Sequence, residues 1–165
     1  DFVLAAQQLA EKFPEAHFSI VGKDNSGNQN FRRDLRRMIK IFGLTDRFLW
    51  LNWVEDTGSF LNALDVYVSP SHSESFGLAT LEAMANETAI VATDTEGTKE
   101  LLRDGETGFI VPVNQPVAMA EAIGKLLADE ELAKSMGSKA RKDAANRFSL
   151  ESMIDETEKL YRSIV

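Results

Sequence analysis

Two glutamates with seven residues between them, Glu74 and Glu82, bracket the part of the chain richest in groups able to do chemistry: Ser69-Pro70-Ser71-His72-Ser73-Glu74-Ser75-Phe76-Gly77-Leu78-Ala79-Thr80-Leu81-Glu82-Ala83-Met84-Ala85. The apolar run Val66-Tyr67-Val68 before it reads as a buried strand, and the spacing predicts a helix over Gly77 to Ala85. Ser75, Phe76 and Gly77 then open a helix whose first amides have no internal acceptor. Those N–H groups and the positive end of the helix dipole favour an anion, and Gly77 allows a ligand close to the backbone. A phosphate is the natural guest. Glu82, about five residues into the helix, lies roughly 7 to 8 Å along its axis at about 1.5 Å per residue. That offset suits the ribose of a nucleotide whose terminal phosphate sits at the helix start, and one carboxylate can accept from both ribose hydroxyls. Glu74, on the other side of the phosphate, faces whatever the phosphate carries. His72 is within reach of the same crevice and suits a phosphate or sugar hydroxyl; a merely exposed loop histidine is the alternative.

Alternating helices and strands position these groups. An amphipathic stretch, Phe2 to Phe13, leads to the apolar run His17 to Val21 and then Gly22. A polar loop from Lys23 to Gln29 is followed by a helix from Phe31 to Phe42, closed by Gly43. Arg47 to Val54 reads as a strand and Phe60 to Leu64 as a short helix. After the Glu74–Glu82 segment come a strand at Ala89 to Ala92, a helix at Thr98 to Arg103 and a strand at Gly108 to Val111. Three helices, Pro116 to Ala128, Glu130 to Arg147 and Leu150 to Ile164, end the chain, with Pro116 suited to a helix start and Ser149 to a cap. Short apolar strands alternating with helices predict an α/β fold, a doubly wound Rossmann-like parallel sheet that binds ligands beyond its strands' carboxyl ends. The loops after Val21, Val54, Val68 and Ala92 are expected to line one crevice. Trp50 is expected in the core and Trp53 at the crevice edge, and Met153, Ile154, Leu160 and Tyr161 of the last helix are expected to pack.

Composition narrows the function classes. The 165 residues contain no cysteine, excluding disulfides, zinc–thiolate sites and thiol nucleophiles, and no run approaches the roughly 20 apolar residues of a membrane-spanning helix. Residues 1–50 hold 8 basic and 6 acidic groups, while residues 51–165 hold 10 and 20, within a total net charge of −8. That balance argues against a nucleic-acid partner. The basic surplus lies in Arg32, Arg33, Arg36, Arg37 and Lys40, a stripe on one predicted helix. It reads either as a solvated helix face or as a contact with an anionic partner such as a membrane surface.

The Glu-x7-Glu spacing, with Phe76-Gly77-Leu78 inside it and Glu82-Ala83-Met84-Ala85 at its end, resembles the signature of retaining, group 1 glycosyltransferases of the GT-B fold. Glu96-Gly97-Thr98-Lys99-Glu100-Leu101 and Asp104-Gly105-Glu106-Thr107-Gly108-Phe109 are similar to that family's Gly-Gly-x-x-Glu and Asp-Gly-x-Thr-Gly-x segments. The resemblance covers essentially the whole chain and implies that residues 1–165 are the carboxyl-terminal, nucleotide-sugar-binding domain. It implies that Glu82 binds the ribose hydroxyls, that Ser75, Phe76, Gly77 and Leu78 surround the distal phosphate, and that Glu74 contacts the donor sugar as a positioning and electrostatic group. It places Gly22 beside the nucleotide, and Asn52, Trp53 and Val54 in the loop that receives the base. It implies no metal and no cofactor beyond the nucleoside-diphosphate sugar, a cytoplasmic location and an acceptor held by a separate amino-terminal domain.

The chain departs from the family pattern in four places. Glu87-Thr88-Ala89 stands where Gly-x-Pro is usual, so Asn86 or Glu87 must make a turn without glycine. Glu96 replaces the first glycine of the pair, and Asn52 replaces a frequent glycine of the base loop. A strand ending in Gly-Arg and a following Lys-Gly, whose cations neutralise the diphosphate, would precede Phe2. The first residue is instead Asp1, and the 165 residues are expected to be a fragment with a gap in its sheet, inert alone. An epimerase-like GT-B protein and a non-catalytic nucleotide-sugar-binding module remain the alternatives.

Overall fold

The computed structural model describes residues 1–24 and 30–164; residues 25–29 of the expected polar loop lie outside the described residues. The elements run α1 (Phe2–Lys12), β1 (Phe18–Val21), α2 (Asn30–Ile41), β2 (Phe48–Leu51), α3 (Thr57–Asn62), β3 (Val66–Ser69), α4 (Leu78–Ala85), β4 (Ala89–Thr93), α5 (Glu96–Leu101), β5 (Phe109–Val111), α6 (Pro116–Ala128), α7 (Glu130–Arg147) and α8 (Leu150–Ile164). Every strand pairing is parallel. The sheet is in two pieces, β1-β2 and β3-β4-β5, which is the interruption expected from the sequence.

One apolar cluster joins the two pieces. Phe18 and Phe48 from the first meet Val91 and Val111 from the second, with Val3, Ala5, Ala6 and Leu9 of α1 and Met119, Ile123 and Leu126 of α6 filling between. Phe18 and Phe48 stack at 5.1 Å, and Phe2 meets both edge-on at 6.1 and 6.2 Å. Arg47 then pins the end of α1. Its guanidinium donates to the carbonyls of Ala10 (3.1 Å), Phe13 (2.7 Å) and Ala16 (2.8 Å) and lies over the Phe18 ring. The Ala10 carbonyl is one of those a helix end leaves without an intrahelical donor, and Arg47 supplies one. Arg47 therefore belongs to a short 3-10 turn, Thr45–Arg47, and not to the strand, which begins at Phe48.

Strand β4 is buried at all five positions, so it has no solvent-facing side. A second cluster covers it: Ala83 and Met84 of α4, Leu101 and Leu102, and Ala140 and Ala144 of α7. Between α4 and β4, Asn86 ends the helix and Glu87 takes the left-handed conformation (φ 58°) that glycine usually supplies. Gly137 of α7 makes room for this turn, since a Cβ there would sit 1.9 Å from the Glu87 carbonyl oxygen. Gly43 closes α2 at φ 69°, Pro116 opens α6, and the Ser149 hydroxyl accepts from the Ser152 N–H at 3.1 Å, all as expected.

The last helix departs from expectation. No residue of α8 is buried; Met153, Ile154, Leu160 and Tyr161 are each at least half exposed. Periodicity made the helix amphipathic, but none of the described elements covers its apolar face.

Candidate functional site

The turn between β3 and α4 is held largely through backbone groups. Thr93, at the end of β4, donates its hydroxyl to the carbonyls of Ser69 (3.1 Å) and Ser71. The N–H of Gly97 donates to the Glu74 carbonyl at 3.0 Å. A Cβ on Gly97 would lie 2.6 Å from the Phe76 carbonyl oxygen and 2.7 Å from its carbonyl carbon and Cα, so only glycine allows α5 this close. Thr95 caps α5, accepting from the Thr98 N–H at 3.2 Å. The sequence reading identified the Glu96-Gly97 segment by resemblance but gave Gly97 no task. Its task is to seat the turn that carries Glu74.

Helix α4 begins one residue later than expected. Gly77 is its N-cap, left-handed at φ 97° and ψ 61°, and Ser75 and Phe76 lie in the turn before it. No side chain caps α4, so its first amides, at Leu78, Ala79 and Thr80, point out of the helix end without an intrahelical acceptor. Gly77 serves backbone handedness first. It also leaves room for the Glu74 stem, because a Cβ on Gly77 would be 3.3 Å from Glu74 Cγ. Glu74 is thus folded back against the start of α4, half-buried, while Glu82, on the helix's fifth residue, is exposed.

Tyr67 of β3 is half-buried and close enough to both carboxylates to feel their charge. Burial pushes its phenol above the ordinary range; hydrogen bonds with Thr80 and Ser69 oppose this, and the negative charges of Glu74 and Glu82 add to it. Both glutamates therefore act on one neutral hydroxyl, a group that sequence reasoning treated only as part of a strand. His72 stands beside this turn, exposed, with Nε2 3.7 Å from Asp1 Oδ2; the Asp1 carboxylate is almost wholly buried and accepts from the Asn114 N–H at 2.9 Å.

The other group of expected site residues lies at the ends of β1 and β2. The Gly22 N–H donates to the Leu51 carbonyl at 2.9 Å, continuing the β1-β2 ladder. Strand β2 stops at Leu51, so Asn52, Trp53 and Val54 form the loop beyond it; Asn52 and Trp53 are exposed and Val54 half-buried. Trp50 is half-buried, with the guanidinium groups of Arg32 and Arg36 over its ring at 5.1 and 5.3 Å. Arg32 also donates from Nη1 to Asn52 Oδ1 at 2.5 Å. Of the predicted basic stripe only Arg32 is half-buried; Arg33, Arg36, Arg37 and Lys40 are exposed. Among the described residues no three His, Cys, Asp or Glu side chains are grouped to hold a metal ion.

Parallel strands alternating with helices, with the Glu74–Glu82 segment following the end of β3, define an α/β domain of the doubly wound class. The chain belongs to the group 1 glycosyltransferases: the family described as "Glycosyl transferases group 1" matches residues 1–143. It is 34% identical over 164 residues to the lipopolysaccharide core biosynthesis mannosyltransferase LpcC of Rhizobium leguminosarum bv. viciae, covering 99% of this chain and 47% of that protein. It is likewise 34% identical to a D-inositol 3-phosphate glycosyltransferase of Corynebacterium urealyticum, covering 97% of this chain and 38% of the relative. Among solved structures, sucrose-phosphate synthase from Thermosynechococcus elongatus superposes with a TM-score of 0.88 at 28% identity, covering 99% of this chain and 42% of that one. The carboxyl-terminal domain of a group 1 family protein, LpcC, from Francisella tularensis superposes at 0.82 and 26% identity, covering 90% of this chain and 78% of that one. Anabaena HepE, solved in complex with UDP-glucose, superposes at 0.89 and 25% identity, covering 98% and 44%. The fold is thus that of the carboxyl-terminal half of a GT-B glycosyltransferase, and the chain spans less than half the length of the curated relatives it matches.

Proposed function

We propose that residues 1–165 are the nucleotide-sugar-binding domain of an enzyme that transfers a hexosyl group from a nucleoside-diphosphate sugar with retention of anomeric configuration. The observation that carries this reading is the uncapped start of α4, with Glu74 folded against it and Glu82 one and a half turns along. The free amides take the distal phosphate, with Ser75, Phe76, Gly77 and Leu78 around it. Glu82 takes the ribose hydroxyls. Glu74 takes hydroxyls of the sugar and acts through its charge as the sugar–phosphate bond breaks. Gly22, Asn52, Trp53 and Val54 receive the base, and His72, held beside Asp1, meets the phosphate or sugar. The donor's own phosphate takes the acceptor's proton and no metal takes part. The acceptor, whether glycan, lipid or small molecule, is bound outside these residues, which alone do not turn over. The enzyme works in the cytoplasm, and any contact with the cytoplasmic membrane face falls to the stripe of Arg32, Arg33, Arg36, Arg37 and Lys40 on α2.

The test is donor binding and transfer by the full-length protein, in EDTA, across UDP-, GDP- and ADP-sugars, with NMR of the product anomer. Glu82→Ala removes charge-assisted bonds worth about 1.5–3 kcal/mol each, so donor affinity is expected to fall at least tenfold with unchanged melting. Glu74→Ala is expected to lower kcat more than affinity. Undiminished donor affinity in the first variant, or undiminished turnover in the second, overturns the assignment of that residue.

A further inference from the structure

The loop after β2 carries an asparagine whose orientation is fixed by its neighbours. Arg32 is held at three points: its peptide N–H donates to Asp24 Oδ2 at 2.9 Å, its guanidinium lies 5.1 Å over the Trp50 ring, and Nη1 donates to Asn52 Oδ1. Its Nε is closed off from solvent with no hydrogen-bond partner among the described residues, while the Nη1 bond to Asn52 lies at the surface. A guanidinium can only donate. The atom of Asn52 that faces it must therefore be the amide oxygen, and the NH2 group must face the other way. Asn52 itself is exposed, next to the Gly22–Leu51 hydrogen bond that ends the β1-β2 ladder.

We propose that Arg32 is a positioning residue for base selection: it locks the Asn52 amide so that the loop offers hydrogen-bond donors to the nucleotide base. A base with a carbonyl at the exocyclic position, O4 of uracil or O6 of guanine, accepts from that NH2. Adenine and cytosine present an amine there, donor against donor. The domain therefore takes a keto-base nucleoside diphosphate in preference to an amino-base one. This rests on the reading that the loop after β2 receives the base, and deepens it by naming the class of base.

The experiment is calorimetric titration of the full-length protein with UDP, GDP, ADP and CDP, in the wild type and in Arg32→Met, Asn52→Asp and Glu82→Ala variants. UDP or GDP is expected to bind at least about tenfold more tightly than ADP and CDP, the equivalent of one well-placed hydrogen bond. In Arg32→Met the amide is free to turn, and that ratio is expected to fall to within about threefold. In Asn52→Asp the donors are replaced by acceptors, and the preference is expected to shift toward ADP and CDP. Because Asn52 is exposed, that variant is expected to fold normally and carries the test should Arg32→Met not fold. Equal or tighter binding of ADP or CDP by the wild type, or an unchanged ratio in folded Arg32→Met and Asn52→Asp, overturns the proposal while leaving the donor site standing. Loss of all four ligands in equal proportion in Glu82→Ala supports the donor site independently. Indifference of all four to Glu82→Ala removes the donor site and this proposal with it.

Discussion

Around α4, the turn from Glu74 to Gly77 is seated by backbone: the Gly97 N–H bonded to the Glu74 carbonyl, the Phe76 peptide against a position where no Cβ fits, and a fully buried β4 beneath. Around β2, the loop from Asn52 to Val54 is seated by side chains: Arg32 and Arg36 over Trp50, and Arg32 bonded to Asn52. Backbone-on-backbone contact tolerates almost no substitution, because nothing can rotate away. Side-chain contacts can be exchanged one at a time. In the proposed function this division matches the ligand, since a diphosphate and a sugar ring are common to all donors of the class and the base is what differs among them.

The sharpest way to break the comparison is Gly97→Ala. Its Cβ would press on the Phe76 carbonyl at 2.6 Å, with no flexible atom to yield. The variant is expected to lose about 1–3 kcal/mol or more, read from the urea midpoint, and to lose donor binding as the Glu74 turn shifts. A normal midpoint together with normal donor affinity would show that the turn is not held from α5.

A smaller effect is expected from Asp143→Ala. This buried carboxylate pairs with Arg103 and Arg147, each at 2.7 Å, and Arg147 donates onward to the carbonyls of Glu100 and Leu101, tying the end of α5 to α7. Both arginines reach solvent, so losing the carboxylate is expected to cost about 1–2 kcal/mol, less than for a wholly buried pair. The urea midpoint of the variant should fall and base preference should not change. A change in the UDP-to-ADP ratio would mean that the two regions are coupled.

The smallest effect has the opposite sign. Glu87 is left-handed, and its carboxylate makes an exposed pair with Arg141 at 3.1 Å. Relief of the left-handed strain is worth about 1–2 kcal/mol and the exposed pair about 0–1, so Glu87→Gly is expected to stabilise the protein by about 0.5–1 kcal/mol. A lower urea midpoint would show that the ion pair outweighs the strain.

Much of this was legible in advance. Alternating apolar strands and helices gave the parallel α/β order, and Gly43, Pro116 and Ser149 marked helix ends where they were expected, because caps and turns are governed by adjacent residues. The helix start at Gly77 and the place of Glu82 on its fifth residue were legible for the same reason, since helix geometry fixes that offset whatever surrounds it, whereas Glu74 lies in the turn before the helix. Errors came where distant parts of the chain intervene. Arg47 looked like the start of a strand until the carbonyls of Ala10, Phe13 and Ala16 claimed its guanidinium, 31 to 37 residues away in sequence. Trp50 does pack against the core as expected, half-buried, but the two arginines of α2 over its ring could not be read from local pattern.

The sequence by itself determined the elements, their order, and the pairing of two carboxylates with a helix start, because each depends on periodicity and on neighbours within about one turn. It also narrowed the turn without glycine to Asn86 or Glu87. Only the tertiary structure decided that Glu87 takes the left-handed position against Gly137, that Gly97 seats the Glu74 turn, and that Arg32 fixes which end of the Asn52 amide is free. Each of those depends on how closely two distant backbones or side chains approach, a distance set by packing and invisible to local pattern.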